Sequence, residues 1–269
     1  MRKIFFIFLA VAASTSTLFA QQTKQDKKDE RRKKINAMIK EEEEGVIAYR
    51  KHTIFGLKLT SDGYGAFLEI GKAQSINKSL LFQLDISERK HPKENKVTDP
   101  QYPGPAVIFG KINFVYPIKI GVQQQILLGN KSNKNGVSVT ANYGGGISLS
   151  LLRPYFIELY DTTKSPYQRK DIRYESKDSV TFADNSQLYY LQATGPGFTK
   201  GWSSLSVNPG LYAKGALRFD YARYNEVVSA IEVGITGELY AKKIAQLVYT
   251  KPRQYFVSAY VSILFGKRK

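Results

Sequence analysis

The chain has 269 residues and a formal net charge of +17, with 40 lysines and arginines against 23 aspartates and glutamates. The absence of cysteine excludes disulfides, zinc–thiolate sites, cysteine nucleophiles and an acylated lipoprotein anchor, and the 2 histidines are too few for a His-rich metal centre. The mean hydropathy of −0.32 resembles that of a soluble protein, but transmembrane β-strands alternate in polarity and leave little trace in such an average.

The N-terminus has the pattern of an export signal. Positive residues precede an apolar run at residues 4–11, and small residues then lead to Ala20. This pattern predicts a secretory signal peptide over residues 1–20, cleaved after Ala20. Residues 23–44 are dominated by charge and cannot bury a core, so we predict a charged periplasmic arm over residues 21–51. In an exported protein its basic residues do not indicate nucleic acid as a partner.

From residue 52 onward, apolar and polar residues alternate with period two, the pattern of strands that have one apolar and one polar face. Between Leu205 and Tyr221, for example, the odd positions are mainly apolar, and the even positions include Lys214 and Arg218. Several strands reach the roughly 10 residues with which a tilted strand crosses a bilayer. The eight predicted strands lie near residues 53–61, 64–72, 79–88, 112–127, 136–152, 205–220, 226–240 and 254–266.

The connections between these strands alternate in length. Long connections lie at 89–111, 153–204 and 241–253, and the others are short. An even number of strands, with tight turns at one end and long loops at the other, is typical of outer-membrane barrels. We therefore predict an all-β fold: an eight-stranded antiparallel transmembrane β-barrel over residues 52–269, carrying the charged N-terminal arm.

Alternation alone does not say which face points outward. A soluble lipocalin-like barrel hides its apolar face, whereas a membrane barrel turns that face to lipid. Three observations favour the membrane barrel: balanced charge on the polar face, aromatic residues near strand ends, and an unbroken apolar face in the last strand, from Tyr255 to Phe265. Such a last strand is typical of the signal that barrel-assembly machinery reads, so this machinery is an expected partner. The predicted interior charge network comprises Lys58, Glu69, Asp85, Lys119, Lys214, Arg218, Glu232 and Glu238.

Several short segments resemble those of small outer-membrane β-barrel proteins of the Bacteroidota, and the resemblance extends along most of the mature chain. The segments are Ser61-Asp62-Gly63-Tyr64-Gly65, Lys90-His91-Pro92-Lys93-Glu94, Gly110-Lys111-Ile112-Asn113-Phe114, Leu151-Leu152-Arg153-Pro154-Tyr155, Arg223-Tyr224-Asn225-Glu226 and Ser258-Ala259-Tyr260-Val261. The resemblance implies a barrel in the outer membrane of a Gram-negative bacterium. None of the segments is a catalytic motif, so the activity stays open.

His91 lies in a loop rich in lysine and arginine. As the general base of an outer-membrane lipid-modifying enzyme, it would need an orienting carboxylate and a nearby nucleophilic serine. Ser87 is the only close hydroxyl, and no His-x-Ser signature accompanies His91, so we interpret this segment as a solvated basic loop. We predict no enzyme activity, no catalytic residue, no metal ligand and no cofactor.

Two long loops are rich in basic residues, and a third combines arginine with aromatic residues. Lysine and arginine bind phosphate, so basic loops that face outward would meet lipopolysaccharide. Aromatic residues and arginine form binding hot spots, so 153–204 is the predicted surface for a protein partner, with the N-terminal arm as a second. The predicted contact residues are Arg89, Lys90, Lys93, Lys96, Arg169, Arg173, Trp202, Lys242, Lys243, Lys251 and Arg253.

These observations predict a structural or interaction protein of the cell outer membrane, a barrel scaffold whose loops or arm contact a partner, outer-membrane lipid or lipopolysaccharide. An eight-stranded barrel is just wide enough for its own side chains to fill it, which argues against an open porin. The alternatives are a lipid-modifying enzyme, a narrow transport pore and a soluble secreted lipocalin-like barrel.

Overall fold

The computed structural model of the chain describes residues 32–33, 50–75, 77–98, 104–131, 136–161, 166, 168–174, 193–222 and 226–268. Among these residues, no helix is long and apolar enough to cross a membrane. The predicted signal peptide at 1–20 lies outside the described residues, and so does the predicted arm at 21–51, apart from residues 32–33, 50 and 51. Both stay predictions.

Eight long strands form a closed antiparallel barrel, which confirms the predicted fold class. The barrel strands are β1 (Lys51–Thr60), β2 (Gly63–Ser75), β3 (Lys78–Arg89), β6 (Asn113–Gly129), β7 (Ser138–Pro154), β10 (Ser206–Asp220), β11 (Val227–Ile244) and β12 (Arg253–Arg268). Around the barrel they follow the order β1-β12-β11-β10-β7-β6-β3-β2, so each barrel strand pairs with the next barrel strand along the chain and β12 closes onto β1.

Four short strands lie in connections that the sequence predicted as loops. β4 (Lys96–Val97) pairs with β5 (Val107–Ile108), and β8 (Ile157–Asp161) pairs with β9 (Gln168–Ile172). A short 3-10 turn, Trp202–Ser204, precedes β10. The long connections therefore contain hydrogen-bonded structure of their own.

The period-two pattern places polar side chains inside the barrel and apolar ones outside. In β1, His52 and Lys58 are buried, whereas Phe55, Leu57 and Leu59 are exposed. Successive side chains of a strand point to opposite faces, so this division continues along each strand. A soluble lipocalin-like barrel needs the reverse polarity, and that alternative is therefore wrong.

The exposed apolar side chains form a belt around the barrel, and aromatic residues lie toward both edges of the belt. Transmembrane barrels carry such an apolar band between two aromatic girdles, where ring and hydroxyl meet the membrane–water interface. Exposed aromatic residues toward one edge are Tyr64, Phe198, Trp202, Tyr249 and Tyr255, and those toward the other are Phe55, Phe82, Tyr143, Phe219, Tyr221 and Phe265.

The antiparallel order gives the barrel two different ends. We call the turn end the one at which β2 is followed by β3, β6 by β7 and β10 by β11, and at which β1 begins and β12 ends. The loop end holds residues 61–62 and 245–252 and the described residues of 90–112 and 155–205. In transmembrane barrels short turns face the periplasm and long loops face outward, so the two ends correspond to the two sides of a membrane.

Candidate functional site

The eight charged residues predicted for the interior all lie inside the barrel, with no more than a tenth of any residue exposed. They form two clusters, one toward each end of the barrel. Burying a charge costs several kcal/mol unless it is paired and hydrogen-bonded, so these contacts decide whether the interior is stable. No group of three or more His, Cys, Asp or Glu residues among the described positions could hold a metal ion.

Arg218 is the centre of the cluster toward the turn end. Its guanidinium donates to both carboxylate oxygens of Glu69, at 2.8 and 2.7 Å, and its Nε donates to Glu232 at 2.9 Å. Glu232 also accepts hydrogen bonds from Tyr260 and Asn142 and pairs with Lys214 at 2.8 Å. A planar guanidinium holds two carboxylates well because its donors match their geometry.

Glu238 is the centre of the cluster toward the loop end. Its carboxylate pairs with Lys119 at 2.8 Å and with Arg89 at 3.0 Å, and it accepts the Tyr240 hydroxyl at 2.5 Å. Lys119 lies 3.7 Å from Asp85, which also pairs with Lys58. The two charge signs therefore alternate through this cluster as well.

Arg89 does not lie on the loop surface where the sequence prediction placed it. β3 continues to Arg89, and the strand period turns this side chain inward, so only 5 % of the residue is exposed. Its Nε donates to Asp62 at 2.5 Å, and its guanidinium lies 4.3 Å from the Phe256 ring. A strand that ends one residue later than predicted thus converts a candidate lipid contact into an interior ion pair.

Several of these contacts cross the bore rather than follow the wall. β10 and β2 lie on opposite sides of the ring, and so do β3 and β11. The Arg218–Glu69 and Arg89–Glu238 pairs therefore span the full width of the interior at two levels. Between these levels the Lys214 ammonium, from β10, donates to Gln83 of β3 at 3.2 Å.

The connections at the loop end fold into a cap with its own apolar core; we use the name cap for the described residues of 90–112, 155–205 and 245–252. Tyr155 lies in this core, and its hydroxyl accepts the backbone N–H of Ile108 at 2.7 Å. Burial raises the pKa of Tyr155 to about 12. The buried core residues are Val107, Ile108, Tyr155, Ile157, Leu159 and Ile172.

Backbone hydrogen bonds join two connections of the cap, 90–112 and 245–252. Val248 donates to Gly110 at 2.8 Å and Ile112 donates to Gln246 at 2.8 Å, which holds 245–252 against 90–112. The side chain of Lys111 is buried at this junction and donates to Glu94 at 2.8 Å. Burial lowers the pKa of the Lys111 ammonium, and the hydrogen bond to Glu94 opposes that effect.

The cap carries a basic surface. Lys93, Lys96 and Lys251 are exposed on two connections that hydrogen-bond to each other. Arg253 is exposed at the start of β12, next to this surface, and Lys242 and Lys243 are exposed near the end of β11. No described acidic side chain forms an ion pair with any of these six, since Glu94 is held by Lys111 and Glu88 accepts the Tyr64 hydroxyl. Lys90 is half-buried, with its ammonium 4.6 Å from the Tyr64 ring.

The other predicted contact residues lie on connection 155–205. Arg169 pairs with Glu158 at 3.1 Å, and Arg173, at the end of β9, is partly exposed. Trp202 stacks on Tyr116 at a centroid distance of 5.6 Å, and its indole N–H donates to the carbonyl of Phe198. Trp202 is thus bound to the outer wall of the barrel at its rim.

The sequence reasoning missed Arg153, which organises this rim. Arg153 is buried at the end of β7, and its guanidinium lies 4.1 Å from the Phe114 ring and 5.1 Å from the Trp202 ring. It donates to the carbonyl of Phe198 at 2.6 Å. No local pattern signals this role, because its partners come from two distant segments, β6 and residues 198–202.

His91 has contacts that suit a turn rather than a general base. Its backbone N–H donates to Glu94 at 2.9 Å, and its Nδ1 accepts the backbone N–H of Lys93 at 3.1 Å. An imidazole that accepts through Nδ1 carries its proton on Nε2, and that nitrogen then has no lone pair to take a proton. Partial burial and the nearby charge of Arg253 lower the pKa of His91.

Comparison with known proteins gives similarity to solved structures only: no protein-family model matches the chain, and no curated protein matches it. Neisserial surface protein A (NspA) is 12 % identical and aligns 81 % of this chain with 96 % of its own, at a TM-score of 0.35. Ail, the attachment invasion locus protein of Yersinia pestis, is 8 % identical, with 82 % and 98 % covered and a TM-score of 0.34. The N-terminal β-barrel domain of Pseudomonas aeruginosa OprF is 9 % identical, with 81 % and 98 % covered and a TM-score of 0.29.

Proposed function

We propose that this chain is an outer-membrane scaffold whose cap binds lipopolysaccharide through its phosphate groups. From the sequence resemblance, we further propose that it belongs to the small outer-membrane barrels of the Bacteroidota and that barrel-assembly machinery inserts it. The observation that carries the binding proposal is the basic surface of the cap. Its exposed cations lie beyond the apolar belt, which is the level at which lipid phosphates lie.

The filled bore supports a scaffold rather than a pore. Ion pairs cross the interior at two levels, and the connections of the cap pack around an apolar core of their own. Ions or solutes would have to displace paired charges, each several kcal/mol more stable in its pair than alone. Discrete conductance steps of the full chain in planar bilayers would contradict this part of the proposal.

The arrangement of the cap cations supports a phosphate ligand. Backbone hydrogen bonds hold the two connections that carry Lys93, Lys96 and Lys251 against each other, and Arg253 follows the second connection at the start of β12. A shared basic surface without paired carboxylates attracts anions, and lysine and arginine form charge-assisted hydrogen bonds with phosphate oxygens. A lipid-modifying enzyme has no comparable support, because His91 is engaged in its own turn.

Lipid A binding tests the proposal. The full chain in neutral detergent is titrated with phosphorylated lipid A and with the same lipid A after dephosphorylation. We expect the Lys93→Gln, Lys96→Gln, Lys251→Gln, Arg253→Gln variant to bind phosphorylated lipid A at least about tenfold more weakly, since each basic residue at a charged lipid surface contributes roughly 1 kcal/mol. Dephosphorylated lipid A should bind both proteins equally weakly.

A variant that removes the same number of charges from the segment that precedes β1 is the matched control. Lys24→Gln, Lys27→Gln, Lys28→Gln, Arg31→Gln lowers the net charge equally and leaves the cap intact. Its lipid A affinity should match that of the unaltered protein. An equal loss in both variants would show that net charge, and not the cap, governs binding.

A further inference from the structure

The outer wall of the turn end carries a second group of cations, on the opposite side of the apolar belt from the cap. We call this group the lysine arc: Lys51, Lys72, Lys78 and Lys267. Each residue is exposed and points outward from a different strand, and the four strands β12, β1, β2 and β3 are neighbours in the barrel. The arc therefore covers one continuous side of the wall.

The strand register brings these four lysines close together. Lys51 pairs directly with Lys72, and Lys267 pairs with Thr53, which places it diagonal to Lys51. Lys72 pairs with Leu80, so Lys78 is diagonal to Lys72. Side chains directly opposite in a sheet have Cβ atoms about 5 Å apart, diagonal ones about 7–8 Å apart, and like charges at the first distance destabilise the pair.

None of the four lysines is paired with a carboxylate in the described part of the chain. No ion pair joins any of the four lysines to a described acidic side chain, since the buried Asp220 at this end pairs with Arg268 and Lys131 instead. Glu226 is the exposed acid at the start of β11, and its backbone carbonyl accepts the N–H of Arg268. Four repelling cations beside one carboxylate attract anions from outside the protein.

The rest of the wall at the turn end has a different character. The large exposed side chains described there are apolar or aromatic: Leu128, Val137, Phe219, Tyr221 and Val227. Among the described residues, the exposed lysines of the turn-end wall thus lie on one side, and they follow directly on exposed apolar residues such as Ile70 and Phe265. Lysine at the edge of a lipid-facing belt keeps its stem against acyl chains while its ammonium reaches the headgroup phosphates.

We propose that the lysine arc binds anionic phospholipids in the leaflet at the turn end, with the phosphates of phosphatidylglycerol-type or cardiolipin-type headgroups between the ammonium groups. This inference rests on the proposed membrane insertion of the barrel but is independent of lipopolysaccharide binding by the cap. The lipid satisfies two needs at once, because its acyl chains cover the belt and its phosphate relieves the repulsion between Lys51 and Lys72.

Lipid retention tests the inference. The full chain is reconstituted in nanodiscs of equimolar phosphatidylglycerol and phosphatidylcholine, then extracted, and the retained lipids are counted by native mass spectrometry. We expect the ratio of retained phosphatidylglycerol to retained phosphatidylcholine in the unaltered protein to exceed the bulk ratio at least about tenfold, since each lysine near an anionic surface contributes roughly fivefold. In the Lys51→Gln, Lys72→Gln, Lys78→Gln, Lys267→Gln variant, that ratio should fall back close to the bulk ratio.

Two controls separate this inference from the proposed function. Heat-modifiable migration on gels reports whether each variant has inserted and folded, and a failure to insert in the unaltered protein would contradict the scaffold itself. The Lys24→Gln, Lys27→Gln, Lys28→Gln, Arg31→Gln variant removes the same charge outside the cap and the lysine arc and should keep the enrichment. Unchanged enrichment in a correctly inserted arc variant would overturn the lipid assignment alone.

The same assay tests the other anions that could occupy the lysine arc. Inorganic phosphate added in excess during extraction should not displace the retained lipid, because it cannot replace the acyl chains on the belt; full displacement would overturn the proposal. The acidic run Glu41–Glu44 precedes β1 in the sequence. If enrichment appears only after these four residues are changed to glutamine, the arm occupies the arc and the proposal is wrong.

Discussion

The two ends of the barrel both carry exposed lysines, but they present them in different ways. At the loop end the connections fold into a cap with an apolar core, and the cations lie on connections held together by hydrogen bonds. At the turn end the connections are short, and the cations project from the wall itself. Exposed cations therefore lie on two different surfaces, one at each end of the barrel.

The interior shows the same contrast between the ends. Toward the turn end, Glu69 depends on Arg218 and His52 for its contacts and is completely buried. Toward the loop end, Arg89 shares Glu238 with Lys119, and its other partner, Asp62, is partly exposed. We therefore expect the turn-side cluster to tolerate the loss of its arginine less well.

Replacement of this arginine gives the largest expected effect. Arg218→Met leaves Glu69 with His52 as its remaining partner in the described part of the chain. Breaking a buried ion pair lowers the free energy of unfolding by about 3–5 kcal/mol. Urea unfolding in lipid vesicles, followed by the fluorescence of the single tryptophan, Trp202, measures the loss. Arg89→Met is the matched control and should cost clearly less. Equal losses would show that the two clusters do not differ.

A change inside the cap tests whether the cap folds as a unit on the barrel. Ile157 is completely buried in the cap core, so Ile157→Ala should destabilise the cap by about 2–4 kcal/mol through lost burial and a new cavity. The barrel strands should stay folded, because Ile157 lies in β8, outside the barrel. Faster proteolysis of the cap with unchanged heat-modifiable migration is the expected result. If migration changes as well, the cap and the barrel unfold together.

The buried phenol of Tyr155 makes a smaller, pH-dependent contribution. The pKa of Tyr155 rises to about 12 in the folded cap from an ordinary value of 10, so its contribution to the stability of the cap is complete below pH 10. This contribution, up to about 3 kcal/mol, is lost as the pH rises from 10 to 12, because the phenol ionises more easily once the cap opens.

The variant Tyr155→Phe isolates this effect. It removes the ionisable group and also the hydrogen bond from Ile108, so it should be about 1 kcal/mol less stable at pH 8 but should lose less on going to pH 11. Urea titrations at both pH values measure the difference from the unaltered chain. Identical alkaline losses in the two proteins would assign the effect to other groups.

Much of the barrel was predictable because alternation is a local property. The period of two identified all eight barrel strands to within a few residues and assigned the apolar residues of β12 to one face. It also put Lys58, Glu69 and Glu232 on the polar face, where the structure has them. Strand ends were less predictable, and a difference of one residue was enough to misplace Arg89.

The cap was not predictable in this way. Its core joins Val107 and Ile108 to Tyr155, Ile157, Leu159 and Ile172. The strands that carry these residues are too short for an alternation of apolar and polar residues to identify them in the sequence. The same holds for Arg153, whose aromatic partners come from β6 and from the segment that contains Trp202. Contacts of this kind depend on how separate loops meet above a closed barrel.

By itself the sequence determined that the chain forms long amphipathic strands, that thiol chemistry is absent and that one strand face is charged. The tertiary structure decided that the charged face is the interior, which cation meets which carboxylate, and which lysines share a surface. The physical reason is that the side of a strand follows from neighbouring residues, whereas partners such as Arg218 and Glu69, 149 residues apart, are set by the register and closure of the whole barrel.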